Sequence, residues 1–336
     1  MGRPRTAAPS RQAETAAAPV TRERFAAAHT RVSRHARRTP LLTSATLSRE
    51  TGFDVRLKAE VFQRTGSYKL RGPLNKLALL SEEERRRGVV CSSAGNHAQG
   101  VALAAAIYGI PAVVVMAENA TPSKIEATRG YGAEVVLSGT IWDEANETAR
   151  ALAEERGLTP VHPFDDLDLI AGQGTVGLEL VEDWPEVDVV VVPIGGGGLI
   201  SGVSLAVKSR RPQARIVGVE SAGAPAMQRS VQAGRIVTLE QVDCAIDGLK
   251  VKRVGDVTFD VVSRYVDEIV TLPDREIFDA LLWTLHHTKV LVEGAAAAPV
   301  AALLHGLVAA EPGAKVACVL SGGNVNLDQL RGLAWN

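Results

Sequence analysis

Residues 187–202 read VDVVVVPIGGGGLISG. The run 187–194 is apolar and rich in β-branched residues, the pattern of a strand buried on both faces of a parallel sheet. Four glycines follow, and a helical run opens behind them. One reading of four consecutive glycines is a flexible loop, because glycine costs chain entropy and specifies no packing. Between a buried strand and a helix, flexibility has no use. The favoured reading is therefore a cradle at Gly195, Gly196, Gly197 and Gly198, closed by Leu199, whose backbone N–H groups approach phosphate oxygens that side chains would obstruct.

The same alternation extends outward in both directions. VRLKAEV (55–61), GVVCSS (88–93), PAVVVMA (111–117) and AEVVLSG (133–139) read as strands. HAQGVALAAAIYG (97–109), TPSKIEATRGYG (121–132) and WDEANETARALAEERG (142–157) read as helices. Beyond the glycines, ARIVGVE (214–220) and KVACVLSGG (315–323) read as further strands. Caps, periodicity and β-branched content carry these assignments. Strands alternating with helices predict an α/β protein with two open twisted sheets, helices on both faces, and a site in the crevice between them. The expected division is a disordered tail at 1–20, a large ligand-binding domain from 21–84 and 163–336, and a small α/β domain inserted at 85–162.

Whole-chain properties exclude several classes. The 336 residues carry a net charge of -1, with no basic face, which argues against nucleic acid. No apolar run reaches the roughly 18–20 residues of a membrane span. Cys91, Cys244 and Cys318 are far apart, which suits reduced thiols in a cytoplasmic protein. No HExxH spacing occurs among the seven histidines, and His286 and His287 are adjacent on a predicted helix, so no metal site is expected. The opening residues, rich in Ala, Pro and Arg, lack the apolar segment of a secretory signal. GQGTVG (172–177) matches GxGxxG but follows no strand, and Gly172 and Gly174 read as close-packing positions.

Three other stretches have chemical potential. In QRTGSYKLRG (63–72), Lys69 follows a strand in a turn of small residues. It is either a solvated loop lysine or an amine whose lowered pKa makes it a nucleophile or base. CSSAGNHAQG (91–100) joins a strand end to a helix start, where unpaired N–H groups bind carboxylates or phosphates, or where an ordinary cap sits. VLSGGN (319–324) places Ser321 at another strand end, as a ligand to something buried or as a cap.

In this order, QRTGSYKLRG, SSAGNHAQG, GGGGLISG and LSGGNVN closely resemble the threonine dehydratase and serine racemase group of fold-type-II, tryptophan-synthase-β-like pyridoxal-phosphate enzymes. TPLL (39–42), AGQGT (171–175), GVESAGAPAM (218–227) and DGLKVKRVGD (247–256) add to the likeness, which spans about 25–330. The last two lean toward the dehydratases. The resemblance implies pyridoxal 5'-phosphate bound to Lys69 as a Schiff base, beside Tyr68. Its phosphate would lie on Gly195–Gly198 and Leu199, its phenolic oxygen on Asn96, its ring nitrogen on Ser321, and its ring near Glu293. Ser93, Ala94, Gly95, Asn96 and His97 would hold the substrate carboxylate.

The implied reaction is dehydration and deamination of L-threonine, L-serine or a related 3-hydroxy amino acid such as 3-hydroxyaspartate. A homodimer or homotetramer is implied as well. Racemisation of serine is the alternative, and it is disfavoured because Ala94 stands where racemases carry a proton-transferring serine. Tyr68, Pro73 and Gly294 replace a usual phenylalanine, alanine and proline. Ala226 stands six residues after Glu220, where metal-binding members carry an acid. The chain ends soon after Asn324, so no effector domain of the isoleucine-sensing kind is expected there.

Overall fold

A six-stranded sheet forms the larger layer, and its central strand is the valine run. The structure, a computed structural model, describes residues 19–326 and 330–333. The larger sheet comprises β1 (Leu41–Thr43), β2 (Asp54–Ala59), β7 (Val189–Pro193), β8 (Arg215–Ser221), β9 (Glu268–Leu272) and β10 (Lys315–Leu320). Its order is β1-β2-β10-β7-β8-β9, antiparallel only at β1 against β2. The second sheet comprises β3 (Val89–Ser92), β4 (Ala112–Met116), β5 (Glu134–Leu137) and β6 (Thr159–Pro160), all parallel in the order β5-β4-β3-β6.

Period-two alternation explains how one apolar run serves two cores. Val189 and Val191 join one cluster with Ala296, Val300 and Val316. Val190 and Val192 face the other way, into a cluster with Leu180, Ile200 and Val203. The smaller sheet repeats the scheme, with Cys91 and Val114 on one face and Val90 and Val115 on the other. All three cysteines are buried free thiols.

The strands and helices expected from the sequence lie where it places them, apart from the differences that follow, and several helices, among them Arg22–Val32, Arg71–Ala78 and Gly294–Leu304, are additions. The stretch 55–61 is not one strand: β2 ends at Ala59, and Glu60–Phe62 is a 3-10 turn. The short strands β1 and β6, and β9, are additions to the sequence reading. Of the expected tail, residues 1–18 lie outside the described residues, while Val20 is buried with Phe25 and Ala28. Gly172 and Gly174 are tight contacts, as their reading required. A Cβ on Gly172 would lie 2.5 Å from the Arg71 carbonyl, and one on Gly174 2.3 Å from the Phe25 ring. Among the described residues, no helix is long and apolar enough to cross a membrane.

Candidate active site

The lysine turn follows β2 and is fastened to the end of β10. Ser67 bridges Gly322, the Tyr68 N–H donates to the Ser321 carbonyl (3.0 Å), and the Gly323 N–H donates to the Gly66 carbonyl (2.9 Å). Tyr68–Leu70 then makes a single 3-10 turn that leads into the helix Arg71–Ala78. This places Lys69 at the carboxyl end of the sheet, where open α/β sheets bind ligands. Its Nζ donates to the Pro163 carbonyl (2.7 Å). Burial lowers the Lys69 pKa to about 8, against the opposing pull of the Glu293 carboxylate. An amine so tuned has a useful neutral fraction near pH 7.

Two residues after Lys69, Arg71 enters a buried ionic quartet. Its Nε and Nη2 each donate to Glu60 at 2.8 Å. Its Nη1 and Nη2 donate to Glu179 at 2.7 and 2.9 Å. Lys58 Nζ donates to Glu179 (2.7 Å) and to the Thr39 carbonyl (2.8 Å). All four side chains are at most 4% exposed. Burial works to lower the Arg71 pKa, but the Glu60 and Glu179 carboxylates more than reverse it. The Glu179 pKa is lowered because Arg71 and Lys58 outweigh the effect of burial. Two cations balance two anions, and with a further hydrogen bond from Arg71 Nη1 to the Thr175 hydroxyl (3.1 Å) the guanidinium is saturated, which is what buried charges require.

Ser93–His97 connects β3 to the helix Asn96–Tyr108. The N-cap is Gly95 with no side-chain cap, so the first N–H groups of the helix face outward beside half-exposed Ser93 and Ala94. The Ser93 hydroxyl accepts the Gly95 N–H (3.2 Å), and a Cβ on Gly95 would meet nothing within 4 Å. This opening suits a small carboxylate. The His97 ring is not part of it. Its buried Nε2 bonds the Val161 carbonyl (2.9 Å), and burial drives its pKa down to about 3, so it stays neutral. Only its backbone N–H remains near the opening.

The glycine stretch sits between β7 and the helix Gly198–Arg210. Gly197 is its N-cap, at φ +94°, with no side-chain cap. None of the four positions has room for a side chain. A Cβ would lie 2.4 Å from the Gly248 carbonyl at Gly195, 2.2 Å from the Phe164 ring at Gly196, 2.7 Å from Met227 Cε at Gly197, and 2.8 Å from Gln173 Oε1 at Gly198. The loop is held from outside: the Thr258 hydroxyl donates to the Gly196 carbonyl (2.8 Å). Asp165 in turn accepts the Asp256, Val257 and Thr258 N–H groups at 3.0, 2.9 and 3.2 Å.

Across the cleft, Glu293 accepts both its hydrogen bonds from Asn96 Nδ2, at 2.8 and 3.0 Å. Burial raises its pKa to about 7, opposed by the Asn96 hydrogen bond. Ser321 closes β10 and is 2% exposed. A Cβ on the next residue, Gly322, would lie 2.7 Å from Glu293 Oε1. The structure therefore brings Lys69, Tyr68, Asn96, Glu293 and Ser321 into one neighbourhood.

Glu220 is used locally. Its carboxylate accepts the Met227 and Gln228 N–H groups, both at 2.8 Å, at the start of the helix Ala226–Ala233. Among the described residues, no group of three or more His, Cys, Asp or Glu is arranged to hold a metal. Sequence reasoning missed Pro163, Phe164, Asp165, Thr258 and Asn324. The signal was there for the first three: VHPFDD joins the two sheets and carries a proline and two acids in a turn.

Residues 32–322 match the sequence model of the family described as pyridoxal-phosphate dependent enzymes. The L-threonine ammonia-lyase of Thermotoga maritima is 53% identical over 87% of this chain and 73% of its own length. Among solved structures, maize serine racemase superposes with a TM-score of 0.89 at 37% identity, covering 93% of this chain and 96% of the other. The processed form of threonine deaminase isoform 2 from Solanum lycopersicum gives 0.88 at 35% identity, covering 92% and 86%.

Proposed function

The chain belongs to the family of pyridoxal-phosphate dependent enzymes, and from that premise we propose that it is an ammonia-lyase. It takes L-threonine, or a related 3-hydroxy amino acid including L-serine, to a 2-oxo acid and ammonia. The observation that carries this reading is the position of the Lys69 amine. It is bonded to Pro163, next to Phe164 on the glycine cradle, while the Lys69 carbonyl would lie 2.5 Å from a Cβ on Gly100 in the Asn96–Tyr108 helix. The Lys69 turn thus packs on the Asn96–Tyr108 helix, while its amine reaches the segment whose Phe164 lies against the glycine turn.

The residues present fit the cofactor. The glycine turn has no room for side chains, and the N–H groups and dipole of the helix it opens favour a phosphate dianion. Asn96 has an N–H directed at an anionic oxygen, the Glu293 carboxylate, and the same donor suits a phenolic oxygen. Ser321 offers a neutral hydroxyl to a ring nitrogen, in place of a carboxylate that would hold a proton there. Bound, pyridoxal phosphate supplies an electron sink for bond breaking at the substrate α-carbon.

The chain's own contributions follow from position and charge. The N–H groups from Asn96 onward hold the substrate carboxylate and fix its orientation. Lys69 Nζ, neutral in part at physiological pH, takes the α-proton. The C–O bond breaks and the hydroxyl leaves as water with one proton, so the proton taken by Lys69 is balanced overall, and hydrolysis of the remaining unsaturated amine releases ammonia. Ala94 has no proton to give, which favours elimination over inversion at the α-carbon. Incubation with L-serine separates the two: pyruvate should form much faster than D-serine, and D-serine in excess would overturn the reading. The 2-oxo acid released from a panel of 3-hydroxy amino acids identifies the substrate.

The finer parts of the proposal are an assembly of two or four copies and a cytoplasmic location. Three buried free thiols suit a reducing compartment. We take residues 85–162 as a domain inserted into a larger one made of 21–84 and 163–336. All four strands of the smaller sheet fall inside it.

A further inference from the structure

We propose that Asn324 is a positioning residue which sets the direction of the Asn96 amide, and through it the grip on the cofactor's phenolic oxygen. The inference rests on the reading that Asn96 donates to that oxygen.

An asparagine amide has one donor end and one acceptor end, and only the donor end suits a phenolate. Asn96 lies in the first turn of its helix, half-exposed, and nothing in its own helix caps it. What fixes it is a residue 228 positions away: Asn324 Nδ2 donates to Asn96 Oδ1 at 2.7 Å. With the oxygen held there, Asn96 Nδ2 turns to the Glu293 carboxylate. Asn324 is itself anchored, because its Nδ2 also donates to the Thr65 carbonyl at 2.8 Å.

The lysine turn leaves room for this arrangement. Gly66, at φ +70°, is the position where a Cβ would lie 2.5 Å from Asn324 Oδ1. Any side chain there would displace the Asn324 amide. The adjacent backbone pairs, Gly323 to Gly66 and Tyr68 to Ser321, hold the two segments in register. Three stretches proposed to hold the cofactor, around Lys69, Asn96 and Ser321, are thus joined through the Asn324 amide.

The test compares two substitutions at this exposed position, where folding should survive. Asn324→Ala removes the tie. Asn324→Asp keeps the shape but presents only acceptors, so Asn96 Nδ2 is drawn to the new carboxylate and Oδ1 turns toward the cofactor. The readouts are the dissociation constant of pyridoxal phosphate for the apoprotein and the position of the visible absorption band.

Asn96→Ala should weaken binding by roughly 10-fold or more, as for loss of a hydrogen bond to a charged oxygen. Asn324→Ala should weaken it about 3-fold. Asn324→Asp should weaken it at least ~10-fold and shift the band, the isostere harming more than the truncation. In an Asn96→Ala background, Asn324→Asp should have little further effect. Three results would overturn the inference: Asn324→Asp binding no worse than Asn324→Ala, an undiminished effect without the Asn96 amide, or no effect of Asn96→Ala. Only the last would also remove the Asn96 role in the proposed function.

Discussion

Replacing Arg71 by methionine converts the buried quartet from neutral to a net charge of about −1. Lys58 pairs with Glu179 and not with Glu60, so Glu60 would keep its charge and lose the two 2.8 Å hydrogen bonds from Arg71. Glu179 would lose its own two, at 2.7 and 2.9 Å, and keep only Lys58. Breaking a buried pair by removing one partner costs about 3–5 kcal/mol, because an uncompensated charge stays behind. At about 2–3 °C per kcal/mol for a chain of this size, thermal unfolding of the apoprotein should fall by roughly 6–15 °C.

The informative variant is the double, Arg71→Met with Glu60→Gln. It restores neutrality, leaving the Lys58–Glu179 pair at 2.7 Å. The double variant should therefore be more stable than Arg71→Met alone by about 1–3 kcal/mol, although Glu60→Gln alone destabilises. Circular dichroism melts of the wild type, both single variants and the double close the cycle. A double variant whose loss equals the sum of the two single losses would refute the reasoning, since it would mean the quartet is not coupled by charge.

Two further outcomes follow from the site. Loading of the apoprotein requires neutral Lys69, so its rate should rise with pH and level off above a midpoint of about 8. At pH 7 the neutral fraction is about 10%, against roughly 0.03% for an ordinary lysine; stopped-flow absorbance resolves the profile, and a midpoint near 10 would remove burial as the tuning force. Gly197→Ala puts a Cβ into a left-handed residue, 2.8 Å from Thr258 Cβ. Strain and overpacking together cost about 2–5 kcal/mol, so cofactor affinity should drop at least ~10-fold by absorbance titration, and unchanged affinity would contradict the cradle.

The parts of the fold that were legible in the sequence are those set by local pattern. The valine run shows its burial because both faces are apolar, and the glycines show a tightly packed turn because a strand and a helix flank them. The quartet was not legible. Lys58 and Glu60 stand in VRLKAEV, which reads as a strand and has no signal that its charges are buried. Their burial depends on Glu179, 121 positions from Lys58, and on Arg71. Asn324 was hidden for the same reason. Its partner Asn96 is close only after β10 and the Asn96–Tyr108 helix have packed at the same cleft. His97 gives the opposite lesson: the family resemblance placed it among the substrate contacts, but burial left its ring bonded to a backbone carbonyl.

The central claim is that Lys69 carries both the cofactor and the proton transfer. The most direct measurement pairs borohydride trapping with turnover in Lys69→Ala. Wild-type protein reduced with borohydride should keep pyridoxal phosphate covalently on the peptide that contains Lys69, and should release 2-oxo acid from L-threonine before reduction. Lys69→Ala should show neither the trapped cofactor nor the release. Substantial 2-oxo acid formation by Lys69→Ala, or cofactor trapped on another lysine of the wild type, would contradict the account.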